Sequence, residues 1–308
     1  MTALLGATPA PPAPPPAPGL VELRPRRAAA FGAFRALLGR DLAVLRKELP
    51  IFVVRTIMQP LLLLFVFTYV FPRIGQAVGG TGAAAADFST MLVSGVVATA
   101  MIFQGIQAVA LPLVREFGIP FRPGYPLAAD AKRNPEGYTR EIEDRVLAPL
   151  PVWAVAVEKI VSGALQALIA GAIVFPLAAV LPVSDVHLEV SWAALLTVAP
   201  LAALTGAALG LALGTRVQPH QVPLMFSVIV IPITFLGATY YPWARLTPIP
   251  WLKVAVLVNP LVYMSEGFRM ALTPVAHMPG PAVYAALTGF VLGLGWLGID
   301  GFRKRVLA

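Results

Sequence analysis

The chain has 308 residues, of which 58% are hydrophobic and only 12% charged, and its mean hydropathy is +0.78. Soluble domains carry about 25% charged residues, so this composition excludes an ordinary soluble fold and indicates an all-α polytopic membrane protein. The formal charge of +8 comes with no solvated basic face large enough for nucleic acid, and the lack of cysteine excludes disulfides, thiolate metal sites and thiol nucleophiles.

Residues 1–30 are rich in proline and alanine and cannot build a packed core, so they read as a disordered tail. No basic stretch precedes an apolar one there, which argues against a signal peptide. Arg24, Arg26 and Arg27 would hold the tail near anionic lipid. Residues 31–308 form one transmembrane domain. It opens with Phe31–Leu49, where Phe31, Phe34, Leu38, Leu42, Leu45 and Leu49 recur at three- and four-residue steps among Arg35, Arg40, Arg46 and Lys47. That pattern predicts a basic amphipathic helix lying in the membrane interface and ending at Pro50. The alternative, a packed helix of a soluble domain, has no such domain after it.

About 20 apolar residues cross the hydrocarbon core. By that measure six spans are predicted: 52–71, 90–114, 154–181, 192–214, 222–241 and 283–299. Arg55 lies close enough to the start of the first to snorkel. Internal prolines at 60, 112, 176, 200 and 232 are tolerable because neighbouring helices can satisfy the freed carbonyls. Six spans place both termini on one side. Lysines and arginines then decide which side: eighteen fall in the segments that share a side with the termini, and four (Arg73, Arg245, Lys253, Arg269) in the others. The positive-inside rule puts both termini in the cytoplasm.

Two loops are long enough to carry function. The cytoplasmic one, Arg115–Lys159, is Pro/Gly-rich at first and then presents a charged island, TREIEDRVLAPLP from Thr139, predicted as a short helix on which a partner pushes. The outer one, Pro242–Pro281, holds two short helical patterns broken at Asn259-Pro260. Glu266 and Arg269, three residues apart, can pair on one face, and Trp243, Trp251 and Tyr263 suit a membrane interface.

No P-loop motif and no His-Glu-x-x-His pattern occurs, and His187, His220 and His277 are scattered; no catalytic, cofactor or metal site is expected in this chain. The middles of the spans carry almost no acid or base, unlike the ion relays of coupled transporters. Their polar residues are Gln59, Ser94, Thr99, Gln104, Gln107, Ser162, Gln166, Thr205, Ser227 and Thr234, which could line a route or hold helices together.

Four segments together resemble the membrane subunits of type-2 ATP-binding-cassette exporters, bacterial drug, lipid and polysaccharide permeases. They are RDLAVLRKE leading to Gln59-Pro60, REFG with TREIEDRVLAPLPVWAVAVEK, FLGATYYPWARLTPIPWL, and NPLVYMSEGFRMAL. The resemblance covers about residues 31–305. It implies that Arg140, Glu141, Glu143, Asp144, Arg145 and Leu147 belong to a coupling helix seated on a separate ATPase subunit. It implies an extracellular helix carrying Asn259, Pro260, Glu266 and Arg269. Two permeases and two ATPases would form the working unit, with ATP and magnesium bound by the ATPases, in a bacterial inner membrane. Residues 119–138 depart from the family pattern as an insertion, read here as a tolerated cytoplasmic loop. An ion-coupled secondary transporter and an intramembrane enzyme are the rival readings.

Overall fold

A computed structural model describes residues 26–75, 83–117, 150–182 and 186–307. Among these the regular structure is entirely helical: α1 (Arg26–Lys47), α2 (Leu49–Arg73), α3 (Ala83–Phe117), α4 (Val152–Val180), α5 (Trp192–Gly214), α6 (Val222–Phe235), α7 (Pro250–Ala255), α8 (Pro260–Leu272) and α9 (Gly280–Leu307). Five of them, α2, α3, α4, α5 and α9, are long and apolar enough to cross a membrane. The predicted run 192–214 matches α5 at both ends, while α3 and α9 extend beyond their apolar counts.

The fifth predicted run, 222–241, differs. Its helix stops at Phe235, and the backbone turns through Ala238, which has φ +53°. Fourteen helical residues rise about 21 Å, short of a hydrocarbon core of about 30 Å. Counting apolar residues misses this stop because residues 236–241, Leu-Gly-Ala-Thr-Tyr-Tyr, carry no charge that would interrupt the run.

α2 and α6 share a second local feature. Each contains a π-helical turn, Val66–Val70 and Phe226–Val230, just ahead of Phe71-Pro72 and Ile231-Pro232. Proline lacks an N–H and its ring clashes with the carbonyl four residues back; widening the preceding turn relieves that clash without ending the helix.

α1 begins five residues before the predicted Phe31 and ends at Lys47. Pro50 does not end it. The chain bends at Glu48, and Pro50 falls in the first turn of α2, where a missing N–H costs nothing. Leu45 is buried with Phe52 against Ala170 of α4, whereas Phe31, Leu42 and Leu49 stay exposed. α4 likewise starts earlier than its apolar count, directly after Pro151. Glu158 and Lys159, where the predicted loop 115–159 overlaps the predicted span 154–181, are buried within this helix.

α3 is the centre of the bundle, packed on α2, α4, α5 and α8. It meets α5 along small residues. A Cβ at Gly105 would lie 2.6 Å from the backbone of Gly206, one at Gly210 2.7 Å from the carbonyl oxygen of Gly105, and one at Gly214 2.9 Å from Cα of Ala110. Glycines four residues apart on α5 thus let two backbones touch. In lipid, where helices gain little from burying apolar surface, such close dispersion contact is a main source of association.

Candidate functional site

The described site residues gather around α8, at the end of the bundle where α5 and α9 start. Asn259-Pro260 opens this helix as the sequence suggests. The Asn259 side chain makes two bonds, one from each end of its amide. Oδ1 accepts from the backbone N–H of Leu261 at 2.9 Å, capping α8, and Nδ2 donates to the carbonyl of Ile233 at 2.7 Å. One residue thereby starts α8 and satisfies an orphan carbonyl at the end of α6. Leu261 packs so closely on Gly237 that a Cβ there would lie 2.4 Å from Leu261 Cδ2. α6 stops where it does because α8 occupies the space beyond it.

Glu266 and Arg269 are both fully buried and form an ion pair. Each also binds backbone from a different segment. Glu266 Oε1 accepts from the N–H of Trp243 at 2.8 Å, and Oε2 accepts from the N–H of Met278 at 2.7 Å. Arg269 donates through Nη2 to the carbonyl of Ala238 at 3.0 Å, the residue with positive φ. Burial pulls the Arg269 pKa below its ordinary value, and the charge and hydrogen bond of Glu266 oppose that shift. Carboxylate and guanidinium thus tie together α8, the turn after α6, the segment leading to α7 and the segment entering α9. Among the described residues Arg269 Nε alone of this group lacks a partner. The arrangement has no nucleophile beside a base and no open position; what it can do is hold four segments in one geometry.

Neighbouring contacts make this cap rigid. A Cβ at Gly95 of α3 would lie 2.3 Å from the carbonyl oxygen of Thr239, and Thr99, one turn along, bonds the Thr239 hydroxyl at 3.2 Å. The segment entering α5 donates twice to the last turn of α8, from Glu189 N–H to Leu272 O at 3.1 Å and from Ser191 N–H to Ala271 O at 2.8 Å. Trp243 donates its indole N–H to the carbonyl of Lys253 at 2.9 Å, and the Lys253 ammonium lies 4.6 Å from the Trp243 ring centre. Trp251 is exposed.

The polar residues of the spans divide three ways. Ser94, Thr205, Ser227 and Thr234 bond carbonyls three or four residues back in their own helices. Thr99 joins α3 to the turn after α6, while Gln104 and Ser162 join helices: Gln104 Nε2 donates to Gln166 Oε1 at 3.4 Å, and Ser162 donates to Asp41 of α1 at 3.0 Å. Among the described residues Gln59 and Gln107 make no such bond and, with Thr99 and Gln104, line a groove between α2 and α3. Asp41 was not singled out from sequence, since an acid among basic residues reads as solvated. The backbone groups of Ala238, Trp243 and Met278 carry no sequence signal at all.

Arg140, Glu141, Glu143, Asp144, Arg145 and Leu147 lie outside the described residues, as does the insertion at 119–138.

Residues 142–273 match the ABC-2 type transporter family, a stretch that begins inside the charged island and ends just after α8. Glu143, Asp144, Arg145, Leu147, Asn259, Pro260, Glu266 and Arg269 fall within it; Arg140 and Glu141 precede it. The chain is 26% identical over 156 residues to the inner membrane transport permease YadH of Escherichia coli K12, and equally to the YadH proteins of Escherichia coli O157:H7 and Shigella flexneri. The alignment covers 50% of this chain and 59% of those relatives.

Proposed function

We propose, from the premise that this chain is an ABC-2 type permease, that it is the membrane subunit of an ATP-driven exporter of an amphipathic drug, lipid or lipid-linked glycan. The carrying observation is that one matched segment, 142–273, contains most of the charged island together with Asn259, Glu266 and Arg269 of α8. A permease of this kind needs a part that a motor moves and a part that does not deform. Glu266, Arg269 and Asn259 build the second at one end of the bundle; the island at 140–147 is the first. In this reading α6 and the turn to Tyr241 together serve as the fifth of six spans, with both termini in the cytoplasm of a bacterial inner membrane. The chain has no P-loop, so ATP and magnesium belong to two copies of a separate ATPase, and a second permease copy completes the unit. Closure of the ATPase pair would shift the island and rotate packed helices as rigid bodies.

Co-purification from the native host, with ATPase activity assayed before and after Glu143→Ala and Asp144→Ala, tests this reading. Association of a nucleotide-binding subunit that either substitution uncouples is the expected result. Failure of any ATPase to associate would sink it. Burial of Glu158 and Lys159 within α4 favours a second reading, an ion-coupled secondary transporter. Flux driven by an ion gradient without ATP would support that reading instead.

A further inference from the structure

The groove between α2 and α3 has a composition that the cap and the island do not explain. It is lined on α2 by Arg55, Thr56 and Gln59 and on α3 by Thr99, Gln104 and Gln107, and it encloses about 460 Å³ counting its open side. Arg55 is the seventh residue of α2, about 9 Å along its axis by the helical rise. No carboxylate is among the lining residues. Among the described residues no hydrogen bond or ion pair engages the side chains of Arg55, Gln59 or Gln107, and the buried Thr56 hydroxyl has no partner. Gln59 stands one turn from Arg55 on the same face, and Gln104 is steered by its bond to Gln166.

Arg55 is exposed near the start of α2, within snorkelling reach of the membrane interface, where an anionic headgroup is the partner that answers its charge. A fork of N–H donors flanked by amide groups matches the oxygens of a phosphate or carboxylate. Leu63, Val96 and Phe103 continue the same groove as an apolar wall. The geometry points to a binding site for an anionic amphiphile, its phosphate or carboxylate head on Arg55, Gln59 and Gln107 and its chain along Leu63, Val96 and Phe103. A cationic drug finds no counter-charge here. This deepens the permease reading by naming a substrate class, and it rests on that reading for what the bound molecule is for.

The purified chain in nanodiscs of phosphatidylcholine and phosphatidylglycerol supplies the test, with retained lipid counted by native mass spectrometry. Wild-type protein should retain phosphatidylglycerol in preference, and Arg55→Gln should lower that retention roughly tenfold, the loss of one charge-assisted contact. Arg55→Lys should recover part of it. Gln59→Leu and Gln107→Leu, which leave the charge intact, should each weaken retention less, with elution and melting unchanged as evidence of folding. Equal retention in Arg55→Gln would overturn the site. So would an equal loss from Arg46→Gln or Lys47→Gln, which lie off the groove and report surface charge alone. Inorganic phosphate that binds while phosphatidylglycerol shows no preference would overturn the amphiphile in favour of a free anion. The assay contains no ATPase, so it can succeed where the exporter reading fails, and the reverse.

Discussion

α2 and α3 are similarly apolar over their central stretches, yet 72% of that stretch is buried in α3 and 17% in α2. Hydropathy states that both prefer lipid to water; it does not state which is surrounded by protein. The difference lies in shape. α3 offers Gly95, Ala98, Gly105 and Ala110 to its neighbours, so backbones approach and the larger side chains Ile102, Ile106 and Leu113 fill the space between. α2 presents Val54, Met58, Leu62 and Phe65 outward and keeps only Phe52, Thr56, Pro60 and Leu64 of its first stretch buried. One helix is a hub and the other is a wall.

If this contrast holds, substitutions should grade with it. The largest effect belongs to the cap that closes the hub. Arg269→Ala leaves Glu266 buried with its charge unanswered, and removing one partner of a buried pair costs about 3–5 kcal/mol. Thermal unfolding in detergent measures this, and the paired change of Glu266→Gln with Arg269→Met should cost less than Arg269→Ala alone. An Arg269→Ala protein that melts like wild type would show that the cap does not hold the four segments.

A smaller effect sharpens the comparison within the bundle. Gly105→Leu forces side-chain atoms into the backbone of α5 and should cost about 1–3 kcal/mol or more, whereas Gly293→Leu on α9, with nothing within 4 Å of its added Cβ, should stay within about 0.5 kcal/mol. Equal melting of the two would break the small-residue seam as an explanation for the burial of α3. Smallest of all, Leu62→Ala on the outward face of α2, where the side chain is 54% exposed, should shift stability by less than about 0.5 kcal/mol. A large loss there would mean that α2 is not a wall in the isolated chain.

Much of the cap was legible beforehand. Asn-Pro before an apolar run announces a helix start because asparagine caps and proline tolerates the first turn, and Glu266 with Arg269 at a three-residue step announces a pair. What those residues bind besides each other was not legible. Ala238, Trp243 and Met278 contribute backbone atoms, identical in every residue, so no side-chain pattern marks them. The polar residues of the spans show the same divide. Serine and threonine mostly bond within their own helix, while Gln59 and Gln107 separate from Gln104 only once the neighbours of each are known.

Sequence alone determined that this chain is helical and apolar, where its long helices run, and that one short helix begins at Asn259-Pro260. These follow from local rules: apolar length, proline and capping chemistry act within a few residues. Tertiary structure alone decided that α6 stops at Phe235, that α4 buries Glu158 and Lys159, and that α3 rather than α2 is the centre. Each of those depends on what another helix places in the same space, and that is a property of packing rather than of any one segment.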